Sequence, residues 1–429
     1  MELTEIKSTQ LTQSLFLLEK DEKTILFAPL DIIAIQVKEK GKSALIEHFI
    51  EGKENPVVKQ LLKEKGINKN YPVIPINLEL FKPISLNLAL TSACNLHCVY
   101  CYARAGLNPV TMSFELVKSS IDFIVNNALD LRKDEIRISF LAGGETLVVF
   151  KLLEKVVEYA TSKWDKKIVF SIVTNGTLIT PEIAKFLLKN NFRISVSVDG
   201  PEELHNQNRP KNNGEGSFKD CMRGLEYLRN SNCKNLLIRS TITYQNINNL
   251  KDLVDIANKF GTRLKFEPVT PTGRGEDTVE ELSAPLFLEK YTEAKEYANK
   301  VGVELSSTYD HDFSPRVHFC SGNGRMFCVL PGSEITSCSR ITRPDDLLAD
   351  QYFIGKLNSE GPQLIIDRLQ NLRQLNVLSF RQCEECFAKW YCAGGCHATR
   401  LSNNMEMPNT HCDIVKQLLW ANLVKNFDL

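Results

Sequence analysis

The stretch "KIVFSIVTNGTLITPEIAKFLLKNNFRISVSVDG" at residues 167–200 decides the fold. Its two ends, "KIVFSIVT" and "RISVSVDG", are rich in apolar β-branched residues and predict two strands. Between them, "PEIAKFLLKN" carries apolar residues at helical spacing. A strand, a helix and a second strand in this order predict a parallel unit with a right-handed crossover.

The same alternation continues on both sides of this unit. Upstream, "ISLNLAL" and "EIRISFLAG" predict strands, and downstream "LLIRSTITY" and "RLKFEPVT" do the same, each followed by an amphipathic helical pattern. Six strands are too few to close an eight-stranded barrel, so we expect an α/β fold with an open, partial (β/α)6 barrel. The chemistry of parallel barrels lies at the carboxyl ends of their strands.

Two regions flank this barrel. We predict a small N-terminal α+β unit at residues 1–80, the barrel at residues 81–310 and a cysteine-rich domain at residues 311–429. Strands "SLFLLEK" and "TILFAPL" and helices "KSALIEHFIEG" and "NPVVKQLLKEKG" are expected in the N-terminal unit. That unit carries no catalytic motif.

The composition excludes two classes of partner. The 429 residues include 52 acidic and 52 basic side chains, and no basic run stands out. Binding to nucleic acid or to an acidic membrane needs a concentrated cationic excess, so we expect neither partner. The most apolar early stretch, "TILFAPLDIIAIQV", is too short to span a bilayer, and "MELTEIKSTQ" lacks a secretion signal. We therefore expect a cytoplasmic protein.

Thirteen cysteines in such a protein predict metal ligands or redox groups rather than disulfides. The loop "TSACNLHCVYCYARAG" at residues 91–106 follows the first barrel strand and spaces Cys94, Cys98 and Cys101 as C-x3-C-x2-C. Structural zinc takes four closed ligands, whereas an iron–sulfur cubane held by three thiolates keeps one iron open. The alternative is a zinc knuckle completed by His97.

This loop resembles the signature CxxxCxxC of the radical S-adenosylmethionine (SAM) enzymes, in which an aromatic residue precedes the last cysteine, as Tyr100 does here. The resemblance implies a four-iron four-sulfur cluster whose open iron is chelated by SAM. Reductive cleavage of SAM then yields a 5′-deoxyadenosyl radical that abstracts hydrogen from a substrate. In such enzymes the protein supplies aim and exclusion of solvent.

Further positions match the SAM site of that family. "LAGGETL" resembles its GGE motif, in which Gly143 and Gly144 allow close approach of the ligand and Glu145 accepts a hydrogen bond from the SAM ammonium group. In "VTNGTLI", the resemblance places Thr174 and Asn175 along the same site. The family more often has proline after the glutamate, where this chain has threonine.

The fourth barrel strand predicts a polar face toward the lumen. In "RISVSVDG", Ser195, Ser197 and Asp199 alternate with apolar residues, which favours a ligand on their side. By resemblance Ser197 contacts SAM, and Arg209 binds the SAM carboxylate.

The eight cysteines after residue 319 resemble the SPASM extension of radical SAM enzymes, which holds two auxiliary four-iron four-sulfur clusters. The resemblance implies these ligands for the first auxiliary cluster: Cys320, Cys328, Cys338 and Cys396. It implies these ligands for the second: Cys383, Cys386, Cys392 and Cys412. Two alternatives stay open, namely that Cys328 is a bystander and that the whole set forms two structural zinc sites. Cys221 and Cys233 are left over as packing or surface thiols.

The resemblance implies a peptide maturase that cross-links a ribosomally made precursor peptide through a thioether or carbon–carbon bond, with a flavodoxin- or ferredoxin-type reductant. The N-terminal unit loosely resembles winged-helix-like domains that bind a leader peptide as an added strand. A cap that packs against the barrel is the alternative for that unit.

The sequence leaves two other functions open. One is formylglycine formation on a sulfatase, although Ser339 stands where that group has an aspartate after the cysteine, and Asp345 or Asp346 would have to replace it. The other is a non-catalytic iron–sulfur scaffold or electron carrier. The sequence assigns no residue to the final proton or hydrogen transfer, and four residues near the expected barrel mouth receive no role: Glu267, Arg274, Asp310 and His311.

Overall fold

The computed structural model describes residues 4–67, 81–310 and 312–427. An antiparallel sheet opens the chain, with β1 (Lys7–Thr12), β2 (Leu15–Lys20), β3 (Lys23–Ala28) and β4 (Ile33–Gln36) paired in chain order. Helices α1 (Glu39–Phe49) and α2 (Pro56–Glu64) follow. The two predicted strands and two predicted helices are confirmed here, while β1 and β4 were not predicted. The end of the predicted unit, residues 68–80, lies outside the described residues.

A parallel sheet follows, and it contains all six predicted barrel strands. They are β5 (Ser85–Leu88), β6 (Glu135–Phe140), β7 (Lys167–Thr174), β8 (Arg193–Ser197), β9 (Leu236–Ile242) and β10 (Arg263–Pro268), and a short β11 (Leu305–Ser307) joins β10 in parallel. The helices between them are α3 (Phe114–Asp130), α4 (Phe150–Lys163), α5 (Pro181–Lys189), α6 (Glu202–Asn208), α7 (Phe218–Asn230), α8 (Leu250–Phe260) and α9 (Ala284–Val301). The strands are open at β11 and do not close on themselves.

The cysteine-rich region extends the same sheet. Strand β12 (Phe327–Val329) pairs in parallel with β5, and β13 (Glu334–Thr336), β14 (Phe353–Asn358) and β15 (Gly361–Leu364) continue it antiparallel. Its helices are α10 (Ala349–Tyr352), α11 (Ile366–Gln374), α12 (Lys389–Cys392), α13 (His397–Ser402) and α14 (Asn409–Asn426). The sheet thus crosses the predicted boundary after residue 310, because β12 adds to β5 across a large gap in sequence.

Alternation along the barrel strands separates the core from the lumen. On β8, Ile194 and Val196 are buried among the surrounding helices, and Ser195 and Ser197 alternate with them, as the pattern predicted. On β6, Ile136, Ile138 and Phe140 are fully buried in the same core. Polar side chains are thereby left for the inner face and for the loops at the carboxyl ends of the strands.

Among the described residues, no helix combines the length and the apolar character that crossing a membrane requires.

Candidate active site

The loop that carries the first three cysteines begins where β5 ends, as predicted. Burial is the main cause that raises the pKa of Cys94 to about 12 and that of Cys98 to about 11; the Glu145 carboxylate contributes at Cys94, and neighbouring thiolates contribute at both. The Arg209 guanidinium opposes this rise at Cys98, and its Nη1 lies 3.8 Å from the Cys98 Sγ. Metal binding must displace the thiol protons, so this nearby cation favours the ligating form.

Gly143 and Gly144 lie against the backbone of the cysteine loop. The Gly144 amide donates to the Thr91 carbonyl at 2.8 Å, and the Glu145 amide donates to the Ala93 carbonyl at 2.8 Å. A Cβ on Gly144 would lie 1.9 Å from the Ala93 oxygen, and Gly143 has a φ of +73°. The sequence interpretation assigned these glycines to ligand approach, whereas the structure shows that contact with the cysteine loop already requires them.

Glu145 is buried and held by both neighbouring strand ends. Its Oε1 accepts from the Thr174 hydroxyl at 2.9 Å, and its Oε2 accepts from the Asn175 amide at 2.7 Å. The Asn175 side chain in turn donates to Asn95 Oδ1 in the cysteine loop at 3.0 Å. Burial raises the pKa of Glu145, and these hydrogen bonds oppose the rise. A ligand ammonium group would stabilise the same carboxylate, since its oxygens have lone pairs to spare.

A second buried carboxylate, Asp199, organises the other wall. Asp199 has no exposed surface, and its Oδ2 accepts from Arg209 Nε at 2.8 Å and from the Tyr100 hydroxyl. Its Oδ1 accepts from the Thr241 amide at 3.0 Å. The Arg209 guanidinium also lies 5.4 Å from the Tyr100 ring centroid. Sequence reasoning saw Asp199 only as part of a polar face and missed that it aims Arg209.

His205 links this wall to α7. Its Nδ1 accepts from the Asp199 amide at 3.3 Å, and its Nε2 lies 3.1 Å from the Ser217 hydroxyl, which donates to the Arg209 carbonyl. The ring is therefore neutral, with its proton on Nε2. Burial lowers the pKa of His205 to about 4.

This lowered pKa predicts a pH-dependent stability. Above pH about 6.5, His205 is neutral in both states; below it only the unfolded chain binds the proton, until the folded-state pKa of about 4 is reached. We expect His205 to contribute a loss of about 2 kcal/mol in the free energy of unfolding between pH about 7 and about 5. Urea denaturation of the metal-free chain at several pH values measures this loss. In a His205→Gln variant, the free energy of unfolding should depend less on pH. The same pH dependence in the variant and in wild type would contradict this contribution of His205.

Arg274 fastens the cysteine loop from outside. Its Nη1 donates to the Cys98 carbonyl at 2.9 Å, its Nη2 donates to the Ala105 carbonyl at 2.9 Å, and its own amide donates to the Cys101 carbonyl at 3.0 Å. The adjacent Gly273 has a φ of +62°, and a Cβ there would lie 2.3 Å from the Tyr102 oxygen. No role was predicted for Arg274, because its partners are distant along the chain and no local sequence pattern reveals them.

We expect Arg274→Met to loosen the cysteine loop, because it leaves two carbonyls without their donor at a cost of about 1–3 kcal/mol. The release of 5′-deoxyadenosine from SAM should fall about 10-fold, with faster loss of loop-bound iron to a chelator. Arg229→Met is the control, since Arg229 lies on α7 and its side chain donates to the Lys259 carbonyl of α8 and not to the cysteine loop. Equal rates for both variants would contradict this role.

The C-terminal cysteines fall into two groups. Burial raises the pKa of Cys338 to about 12, with the Cys396 and Cys320 thiolates adding to the rise. The pKa of Cys328 is also about 12, but among the thiolates only that of Cys338 contributes. Cys328 lies within β12 and packs against Ala89, Ala142 and Leu330. The structure thus brings Cys320, Cys338 and Cys396 together and leaves Cys328 to one side, so its ligation stays a prediction.

The other four cysteines form one neighbourhood. Burial raises the pKa of Cys392 beyond its usual range, and the Cys386, Cys412 and Cys383 thiolates add to this. Arg400 donates to the Cys383 Sγ at 3.2 Å. Cationic Arg400 and Lys416 would offset the negative charge that four thiolates create.

The arrangement of the possible ligands can be compared with the two zinc alternatives, a knuckle completed by His97 and a pair of structural zinc sites. Within residues 4–67, 81–310 and 312–427, no three His, Cys, Asp or Glu side chains are arranged to hold a single metal ion. His97 lies on a separate cleft on the outer side of the cysteine loop. The remaining cysteines, Cys221 and Cys233, pack in the hydrophobic core.

A cavity of about 470 Å³ joins these features. On its barrel side it is lined by Cys94, Cys98, Cys101, Tyr100, Gly143, Gly144, Glu145, Thr174, Asn175, Ser197 and Arg209. From the cysteine-rich region it receives Arg340, Cys396 and His411, and it does not touch Asp345 or Asp346. Every predicted SAM contact thus faces one space.

Of the four residues without a role, Glu267 lines this cavity and pairs with Lys265 at 2.9 Å, whereas Asp310 pairs with Lys295 at 3.1 Å. His311 lies outside the described residues.

Comparison with known proteins identifies the class. Residues 88–260 match the Radical SAM superfamily, so this part of the chain carries a radical SAM domain, and such a domain implies SAM and a four-iron four-sulfur cluster as cofactors. A non-catalytic scaffold does not agree with this result.

Three proteins are similar to this chain in sequence. An uncharacterized protein of Methanocaldococcus jannaschii is 34% identical over 188 residues, which span 43% of this chain and 63% of that protein. The mycofactocin maturase MftC of Mycolicibacterium smegmatis is 27% identical, over 77% of this chain and 82% of its own. A cysteine-type anaerobic sulfatase-maturating enzyme of Clostridium perfringens is 26% identical, over 80% of this chain and 95% of its own.

Solved structures share the fold. The structure of anSMEcpe with bound AdoMet superimposes with a TM-score of 0.63 at 21% identity, over 80% of this chain and 98% of that one. Streptococcus suis SuiB bound to precursor peptide SuiA gives a TM-score of 0.55 at 15% identity, over 93% of this chain and 97% of that one. The superposition with SuiB includes nearly the whole chain.

Proposed function

We propose that this enzyme is a radical SAM peptide maturase that installs an oxidative cross-link, a thioether or carbon–carbon bond, in a ribosomally made precursor peptide. One observation carries the proposal: a single cavity runs from the Cys94 loop to the Cys396 region. A side chain placed there would meet the radical site on one side and the auxiliary cysteines on the other. Similarity to the mycofactocin maturase MftC supports a maturase, and the fold shared with SuiB, which was solved bound to a precursor peptide, agrees with a peptide substrate.

The chain's own residues divide the work of binding SAM. Cys94, Cys98 and Cys101 would hold the cluster that, with SAM, supplies the radical chemistry. Glu145 would accept from the SAM ammonium group, and Arg209 would donate to its carboxylate, each already held in place by buried hydrogen bonds. Thr174, Asn175, Ser197 and Tyr100 complete that wall of the cavity.

Further parts of the proposal concern the auxiliary cofactors and partners. We assign Cys320, Cys338 and Cys396, together with Cys328, to a first auxiliary cluster and the other four C-terminal cysteines to a second. A leader peptide would add as a strand to β4, which is an edge strand of the N-terminal sheet among the described residues. A flavodoxin- or ferredoxin-type protein would supply the electron.

The experiment is anaerobic. The protein with reconstituted clusters is reduced and given SAM, and 5′-deoxyadenosine is measured by liquid chromatography and mass spectrometry. A variant with all three loop cysteines changed to alanine should release none. Two peptides then separate the functions: loss of two hydrogens from a precursor peptide encoded nearby supports cross-linking, whereas formylglycine on a sulfatase-derived cysteine peptide would replace it with sulfatase maturation.

A further inference from the structure

The N-terminal sheet is buried on both faces, and this explains its sequence. On β3, Ile25 and Phe27 face one cluster of apolar residues, while Leu26 and Ala28 face another, and none of the four has exposed surface. One face packs on α1 and α2. Since successive side chains of a strand point to opposite sides, the near-continuous apolar pattern follows from burial on both.

The other face packs on the residues around the second group of C-terminal cysteines. Phe16 and Leu18 of β2 share a hydrophobic cluster with Phe387, Tyr391 and the cysteine Cys392. Cys386 packs against the same cluster, as does the inner side of α14 through Leu419 and Trp420. Two of the four predicted ligands of the second cluster therefore lie in a core that the N-terminal sheet helps to form.

Polar contacts fix the sheet to this region. The Tyr391 hydroxyl donates to the Pro29 carbonyl in the turn after β3 at 2.6 Å, and Tyr391 lies directly before Cys392. Lys20 donates to Gln417 of α14 at 2.7 Å. The Lys389 ammonium lies 5.8 Å from the ring centroid of Phe16 in β2. The N-terminal sheet thus contacts Lys389, one of the cations next to the thiols of the second group of C-terminal cysteines.

From this contact we propose that the N-terminal sheet is the cover of the second auxiliary cluster, controlling its access to solvent and its reduction potential. The proposal rests on the proposed function, which places a cluster at Cys383, Cys386, Cys392 and Cys412. Solvent exposure, hydrogen bonds and nearby charge set the potential of such clusters. Water that reaches the cluster stabilises its more highly charged reduced state, so opening the cover raises the potential.

Two adjacent residues of β3 give a matched test in the full chain. Ile25→Ala and Leu26→Ala each remove three carbon atoms from equally buried positions on opposite faces. In Ile25→Ala, we expect about 10-fold faster loss of the second cluster's iron to bipyridyl and a more positive midpoint potential in an EPR-monitored titration. Leu26→Ala should leave both unchanged. Tyr391→Phe, which removes only the hydrogen bond to Pro29, should shift the potential in the same direction.

The outcomes separate the two proposals. Equal effects of Ile25→Ala and Leu26→Ala, or no effect of either, would contradict the proposal that the N-terminal sheet covers the second cluster. The proposal that this cluster exists would not be affected. If Cys386→Ala and wild type bind the same amount of iron, the second cluster itself is refuted, and the cover falls with it. Recording the titrations in the variant without the three loop cysteines removes the signal of the SAM-binding cluster.

Discussion

Replacing Gly144 with alanine is expected to abolish SAM cleavage although the residue carries no functional group. A Cβ at this position would lie 1.9 Å from the Ala93 oxygen, so the strand end and the cysteine loop must move apart. This movement would break the hydrogen bonds that the Gly144 and Glu145 amides donate to the loop. A displacement of about 1 Å between reacting groups costs about 100-fold in rate, which sets the lower bound of the effect.

The measurement is 5′-deoxyadenosine release together with iron content. In Gly144→Ala the iron bound at Cys94, Cys98 and Cys101 should become labile, while the barrel keeps its circular dichroism. Gly41→Ala is the control, since Gly41 lies in α1, where the nearest atom to a Cβ is 3.7 Å away. Wild-type rates in Gly144→Ala would show that the loop tolerates the shift and that the close contact has no role in activity.

The six barrel strands could be predicted because each one carries its own signal, an apolar stretch that a helix follows. Strands β1 and β12 carry no such signal. The sequence of β1, "KSTQLT", is mostly polar, and β12 has three residues whose strand form depends on pairing with β5 and β13. Short strands of this kind are defined by their partners in the sheet, which the local sequence does not contain.

The residues of the candidate site also fall into those that the sequence could predict and those that it could not. The cysteines, Glu145 and Arg209 could be found because they belong to motifs that the family shares. Asp199 and Arg274 act on those residues through contacts between distant loops, and a lone aspartate or arginine in a loop is usually a surface residue. One signal was available for Asp199, since the alternation of its strand placed it on the polar face. For the packing of the N-terminal sheet over the second group of C-terminal cysteines, the sequence contained one signal, namely that β2 and β3 are apolar on both faces.

Changing Asp199 has the second large expected effect, and it acts on SAM affinity. Asp199→Ala leaves the buried Arg209 guanidinium without its carboxylate, and breaking such a pair costs about 3–5 kcal/mol. The Tyr100 hydroxyl and the Thr241 amide lose the same acceptor. Arg209 is then free to leave the position from which it would bind the SAM carboxylate, so the dissociation constant for SAM should rise about 10- to 100-fold.

Asp199→Asn separates orientation from folding, because its amide keeps the shape and one acceptor oxygen but not the charge. We expect it to weaken SAM binding less than alanine does, with an unchanged unfolding transition. Asp220→Asn is the matched control, since Asp220 also pairs with cations, Lys211 and Arg223 at 2.7 Å each, but does not line the cavity. Isothermal titration of SAM into the reconstituted, unreduced proteins measures all three. If Asp199→Asn binds SAM as wild type does, the charge of Asp199 does not aim Arg209, and the buried pair serves the fold alone.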